Sequence, residues 1–191
     1  MSSARDFFAL IWLTLLHPAV MASRIMEFSY DRRTLCMGVG LVSILSVILV
    51  LVVGLTSPIV LPLGFSPIVY GLIMAFVLII LALVLHKTGL IFGGLATFSQ
   101  TFAAVIWLEM TAFCVRSVQS IVSMISPNLA DILSTVGLIA LLRVLVSFVN
   151  EIHQFESFPR AINTIVIAIL GIGIGFAFLL TMFGVTAQLE I

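Results

Sequence analysis

Few side chains in this sequence are equipped for chemistry, and long apolar runs separate them. Glu109 and Arg116 stand seven residues apart, a spacing that returns a helix to nearly the same face. A carboxylate and a guanidinium so placed either hold each other as an ion pair or reach separately for lipid headgroups near the outer interface. Gln100 offers an amide. Arg143, Ser147 and Asn150 recur along one helical face and offer a cation, a hydroxyl and a second amide. Inside a membrane such groups are suspects for function, because each is costly without a partner. His17, His86 and His153 fall at the edges of apolar runs, where solvated or interfacial positions are expected. Cys36 and Cys114 have no Cys or His at metal-ligand spacing and are expected to pack as small apolar residues. The sequence holds no HExxH, no GxSxG and no close carboxylate pair, and "GIGIGFAF" lacks the GxGxxG pattern and a preceding strand. No catalytic, cofactor-binding or metal-binding residue is assigned, and the expectation is a protein that is not an enzyme and needs no cofactor.

The elements that must position these groups follow from composition. The chain is 62% hydrophobic and 8% charged, against about 25% charged in soluble domains. Only a bilayer can accept so much apolar surface, since polar groups would otherwise have to cover it. The net charge is zero, which gives no reason to expect nucleic-acid binding. A helix needs about 20 apolar residues to span the hydrocarbon. Five stretches qualify, roughly 35–56, 67–86, 88–115, 131–150 and 162–184. With no water to satisfy the backbone, each must be helical. The expected fold is all-α: a polytopic bundle of five transmembrane helices over residues 34–191, preceded by an interfacial segment over 1–33.

The joints carry breakers. Pro58, Pro62 and Pro67 follow the first span, "HKTG" (86–89) is expected to turn after the second, and Pro127 separates the third from the fourth. Ahead of the first span, the apolar run in "DFFALIWLTLLH" is too short to cross. Pro18 then suits the start of a helix in which Met21, Ile25 and Phe28 recur on one stripe, as in a segment lying on the membrane surface. Val20-Met21-Ala22 is similar to a leader cleavage site, but Asp6 offsets Arg5, so a retained N-terminus is expected.

Charge orients the bundle. With the N-terminus in the cytoplasm and the C-terminus outside, Arg5, Arg24, Arg32, Arg33, Lys87, Arg143 and Arg160 fall on or toward the cytoplasm, and Arg116 alone falls outside. Arg32 and Arg33 then anchor the first helix at its foot. If 88–115 is one helix, Gln100 lies 12 residues beyond Thr88, about 18 Å deep. Its face would include Gly93 and Ala96, small enough to admit a neighbour. Arg143 has a similar expected depth, so a Gln100–Arg143 contact between the third and fourth helices is expected. In the fifth span Gly171 and Gly175 mark a second close-packing face.

The segment "LTLLHPAVMASRI", the stretch "GLIFGGLATFSQTF" and the joint "FVNEIHQFESFPRAINTIVIAIL", set around five closely spaced spans, resemble the bacterial branch of the Yip family. That family is named for binding Ypt/Rab-type GTPases in eukaryotes, where members act in vesicle traffic with a cytosolic N-terminus. The "DLYGP"-type motif of those members is absent from this sequence, so GTPase binding is not carried over. The resemblance implies a non-enzymatic inner-membrane protein that interacts with or organises the membrane, with the lipid bilayer and a second copy or other membrane proteins as partners. A small transporter or channel, and an accessory subunit of a larger complex, are the alternatives.

Overall fold

The computed structural model describes residues 4–54 and 66–182. Pro58 and Pro62, the ends of the first and fifth expected spans, and the C-terminus lie outside the described residues. The described residues form seven helices in order: α1 (Ala4–Leu16), α2 (Pro18–Met26), α3 (Arg32–Gly54), α4 (Pro67–Ile91), α5 (Phe98–Ile125), α6 (Pro127–His153) and α7 (Phe158–Met182). α3 to α7 are each long and apolar enough to cross a membrane, so the chain is an all-helical, multi-pass membrane protein. Their outward faces carry large apolar side chains such as Leu72, Phe76, Ile139, Ile169 and Phe178, as lipid contact requires.

Local chemistry sets the boundaries. Ser66 and Ser126 each accept a hydrogen bond from the backbone N–H three residues on, and a proline at the first helical position follows each, where its missing donor costs nothing. Thr97 and Gln100 form a capping box that starts α5. α4 stops where Gly93 takes φ +84°, a left-handed conformation that glycine adopts freely, and Gly94 N–H closes back on Gly89 C=O at 2.9 Å. The second and third spans therefore run 67–91 and 98–125 instead of 67–86 and 88–115. "HKTG" is helical, and the break falls in "FGGLAT".

α5 is the most enclosed span and packs on α3, α4 and α6, while α7 packs on α4 and α6. The core runs through Val42, Ala82, Leu85, Ala104, Val144, Phe148, Ala161 and Ala168. The glycines that let helices close are Gly38 against Ile106, Gly71 against Val47, and Gly137 against Val115 and Gln119. Buried threonines satisfy their hydroxyls on the preceding turn: Thr88 on Val84 C=O at 2.8 Å, Thr111 on Trp107 C=O and Thr164 on Arg160 C=O at 2.9 Å. The α2–α3, α4–α5 and α6–α7 connections share one end of the bundle, called basal below. The α5–α6 connection marks the apical end.

The N-terminal segment is two helices bent by 117° at His17-Pro18. Pro18 cannot donate to Thr14 C=O, and the helix restarts in a new direction. On α2, Met21, Ala22 and Ile25 are buried, and the helix packs on α6 and α5. Phe28, expected on the same stripe, lies beyond the helix end and is exposed. On α1, fully buried Thr14 accepts a hydrogen bond from Trp107 Nε1 at 2.9 Å. Trp107 lies nine residues into α5, about 14 Å from its basal start. The bent pair is thus docked against the bundle wall by a polar contact at depth.

Candidate functional site

A closely packed junction forms at the basal end, where the α4–α5 and α6–α7 connections meet. α6 ends on Gln154 in the left-handed region, φ 54°. Phe155 N–H returns to Asn150 C=O, and Ser157 N–H donates to Asn150 Oδ1, both at 3.1 Å. This turn presents His153 inward. His153 C=O accepts from Leu95 N–H at 3.1 Å, stitching the two connections together. The ring is 1% exposed and stacks on Phe155 at 5.2 Å. Its Nδ1 lies 3.1 Å from Val149 C=O, so Nδ1 carries the proton and donates. Nε2 faces Gly89 as a buried atom with no hydrogen-bond partner among the described residues. Gly89 and Gly94 make room for the ring: a Cβ at Gly89 would lie 2.0 Å from Nε2, and one at Gly94 would lie 2.6 Å from Cδ2. His86, one turn before Gly89, sets its ring edge-on to Phe98. His153 is therefore a buried keystone, not the solvated boundary residue expected of it.

A second polar feature forms at the α1–α2 hinge. Arg143 lies ten residues before the end of α6, about 15 Å above the basal end. Its Nη2 donates to Leu16 C=O at 3.3 Å. The last carbonyls of a helix lack intrahelical partners, and a cation there also suits the helix dipole. Arg143 thus holds the C-terminus of α1. The surrounding cavity, about 550 Å³, is lined by Leu16, His17, Val20, Arg143, Ser147 and Phe158, among others.

The expected Gln100–Arg143 contact is not made. Gln100 is the third residue of α5, and its Oε1 accepts from Thr97 N–H at 3.0 Å and from Thr97 Oγ1 at 2.9 Å. The depth assigned to it assumed a continuous helix from Thr88. Asn150 serves the basal turn, and Ser147 is half-buried beside the hinge cavity. Gln100, Arg143, Ser147 and Asn150 therefore do not form one site. Ala96 is 4% exposed. A Cβ at Gly93 would meet nothing within 4 Å, so this glycine serves the turn instead of a helix contact. Gly171 and Gly175 likewise have nothing within 4 Å of where a Cβ would stand, so the close contact expected there is not made among the described residues. Arg32 and Arg33 are the exposed first residues of α3.

Glu109 and Arg116 form an ion pair, and Arg116 Nε also donates to Ala112 C=O at 3.3 Å. Because α5 begins at Phe98, Glu109 lies about 17 Å from the basal start, in the middle of the helix and not near the outer interface. Gln119 Nε2 continues this polar strip by donating to Leu133 C=O across to α6 at 3.3 Å. Sequence reasoning missed the roles of His153, Gly89, Gly94, Trp107 and Thr14. Only the paired glycines and the Thr97-x-x-Gln100 spacing carried a readable signal, and that signal was for a helix break.

Among the described residues no three metal-ligating side chains gather. No curated protein and no solved structure matches the chain. The sequence model of the Yip1 domain does match, over residues 12–180. The matched region takes in all five membrane helices from α3 to α7 apart from the last residues of α7, together with the hinge, the Trp107–Thr14 contact and the His153 junction. The chain belongs to the Yip1 domain family.

Proposed function

We propose that this protein is a non-enzymatic interaction or membrane-organising component of a bacterial inner membrane, with its N-terminus in the cytoplasm and its C-terminus outside. The orientation draws support from charge: Arg24, Arg32, Arg33, Lys87 and Arg160 all sit at or near the basal end, and Lys and Arg accumulate on the cytoplasmic side. The observation that carries the interaction reading is the outer surface of α7. Gly171 and Gly175, four apart on one face of α7, have no described residue within 4 Å of where a Cβ would stand, and exposed Ile174 and Phe178 stand beside them. Small residues at such a place let a second helix approach closely enough to gain dispersion energy where lipid offers none of the hydrophobic effect. A second copy of the chain, or another membrane protein to which this chain is a subunit, fits that surface.

The test is site-specific photo-crosslinking in native membranes, with the photoreactive residue at Gly175 on α7 or at Phe76 on α4. The expected result is a defined protein adduct from position 175 and only lipid adducts from position 76. The adduct mass tells a homo-oligomer from a heterologous complex. Lipid adducts alone from position 175 would overturn the reading. The transporter alternative has less support, because Gln100, Arg143 and Asn150, three of the four polar side chains that would make a path, each serve a separate local contact. Solute or ion flux in liposomes that disappears in Arg143→Leu would restore it.

A further inference from the structure

We infer that α1 and α2 form a one-leaflet wedge, a helical hairpin inserted among the acyl chains of the basal leaflet alone, which makes the protein favour membrane that bulges outward on its basal side. This deepens the membrane-organising half of the function proposed above and rests on it. Three measures place the hinge. α2 has nine residues and climbs from the basal α2–α3 connection by at most about 14 Å. Arg143, which holds Leu16 C=O, lies ten residues before the end of α6, and Trp107, which holds Thr14, lies nine residues into α5. Each is about 14–15 Å from the basal end. α5 and α6 have 28 and 27 residues, about 40 Å each. Centred on a hydrocarbon layer of about 30 Å, they overrun it by roughly 5 Å at either end. The hinge thus stands about 9 Å inside the hydrocarbon, short of the midplane.

The bend decides where α1 goes. An angle of 117° exceeds a right angle, so α1, followed back from the hinge, descends toward the side from which α2 came. Its 13 residues make about 20 Å, and most of that length runs along the membrane plane. The start of α1 falls about 9 Å below the hinge, at the hydrocarbon boundary. The side chains agree with this path. Arg5 and Asp6, both exposed, sit at that lower end, and no charge follows as far as Leu16. Ile11 and Thr14 are buried toward the bundle, while Phe8 and Trp12, one helical turn apart, are each 64% exposed on the other side. At this depth the medium beyond that stripe is acyl chain. The five spans displace both leaflets alike. α1 adds about 20 Å by 10 Å, roughly 200 Å², to the basal leaflet, and no described helix inserts into the apical leaflet without crossing. An apolar helix wedged into one leaflet makes residence sensitive to curvature.

The test places the full-length chain in giant vesicles of phosphatidylcholine and phosphatidylglycerol, from which a narrow membrane tube is drawn. Cys36→Ala and Cys114→Ala remove competing thiols. An impermeant maleimide dye added outside then reads basal-outward molecules through Ser29→Cys and apical-outward molecules through Asn128→Cys, both exposed positions. The expected result is enrichment of basal-outward molecules in the tube, growing as the tube narrows, and depletion of apical-outward ones. Phe8→Ser/Trp12→Ser, which leaves Ile11 and Thr14 in place, moves both toward parity, and Phe76→Ser on the lipid face of α4 changes neither. Parity in the parent, or the same sign in both orientations, would overturn the wedge. So would undiminished sorting in Phe8→Ser/Trp12→Ser. The sign reversal is read with the wedge unaltered, so it stands whether or not that variant folds. A photoreactive residue at Trp12 that captures protein in native membranes would also overturn it, by putting another chain on this face. Loss of the sign reversal beside a protein adduct from position 175 would strike the wedge and leave the interaction reading standing.

Discussion

Placing a methyl group at Gly89 tests the basal junction directly. Gly89 lies inside α4, and at an unobstructed helical position Gly→Ala stabilises by roughly 0.5–1 kcal/mol. Here the new Cβ would lie 2.0 Å from His153 Nε2 and 2.2 Å from Cδ2, so the ring must retreat about 1.5 Å to restore ordinary carbon contact. It has nowhere to go. It is 1% exposed, stacked on Phe155 at 5.2 Å, tied to Val149 C=O through Nδ1, and its backbone accepts from Leu95. Overpacking of this kind costs about 1–3 kcal/mol, and loss of the Nδ1 bond adds about 1 kcal/mol. Less the helical gain, the expected net loss for Gly89→Ala is about 2 kcal/mol. For a chain of this length that lowers the melting temperature by roughly 4–8 °C, read by circular dichroism in detergent. The same substitution in a His153→Ala background meets no ring and is expected to be neutral or stabilising there. An equal loss in both backgrounds would refute the interlock, because the cost would then not come from the ring.

Trp107→Phe keeps the apolar volume but removes the donor to Thr14; a loss of about 1 kcal/mol and faster proteolysis between α2 and α3 are expected, and an unchanged cleavage rate would count against docking at depth. Glu109→Gln leaves Arg116 without its carboxylate, so it is expected to destabilise more than the double change Glu109→Gln/Arg116→Gln, as measured by melting of the parent and both variants. Gln100→Leu removes one side of the capping box and is expected to cost about 1 kcal/mol, adding independently to the effect of Arg143→Leu; a coupling energy beyond about 0.5 kcal/mol would place the two side chains in contact after all. A periplasm-active reporter fused after Ile191 is expected to be active and one after Lys87 silent; the opposite pattern would invert the orientation.

The all-helical, five-span architecture was legible because partition into lipid is nearly additive along the chain. Long runs such as 35–53 and 68–85 are apolar enough to demand a bilayer whatever surrounds them. The clustering of Arg32, Arg33, Lys87 and Arg160 toward one end was legible for the same reason. Where α4 stops was not read correctly, although the information was present in Gly93-Gly94 and in the Thr97-x-x-Gln100 box. "GLIFGGLATF" is apolar enough to pass as the start of a span, so hydropathy hid the turn. Moving the start of α5 to Phe98 then carried Gln100 to the membrane edge and Glu109 to the middle.

Contacts between helices were another matter. Gly171 and Gly175 have the spacing of a packing face, yet Gly38, Gly71 and Gly137 are the glycines pressed against neighbouring helices, and Gly89 and Gly94 are shaped around a histidine. Arg143 found a backbone carbonyl 127 residues away instead of the amide expected for it. Hydrophobicity and capping act over a few consecutive residues, so the order of amino acids alone is enough to establish membrane helices and roughly where they lie. Which face of each helix meets protein depends on rotation and crossing angle, and these are set by mutual fit among side chains distant in the chain, as where Gly89 on α4 receives the His153 ring from the end of α6.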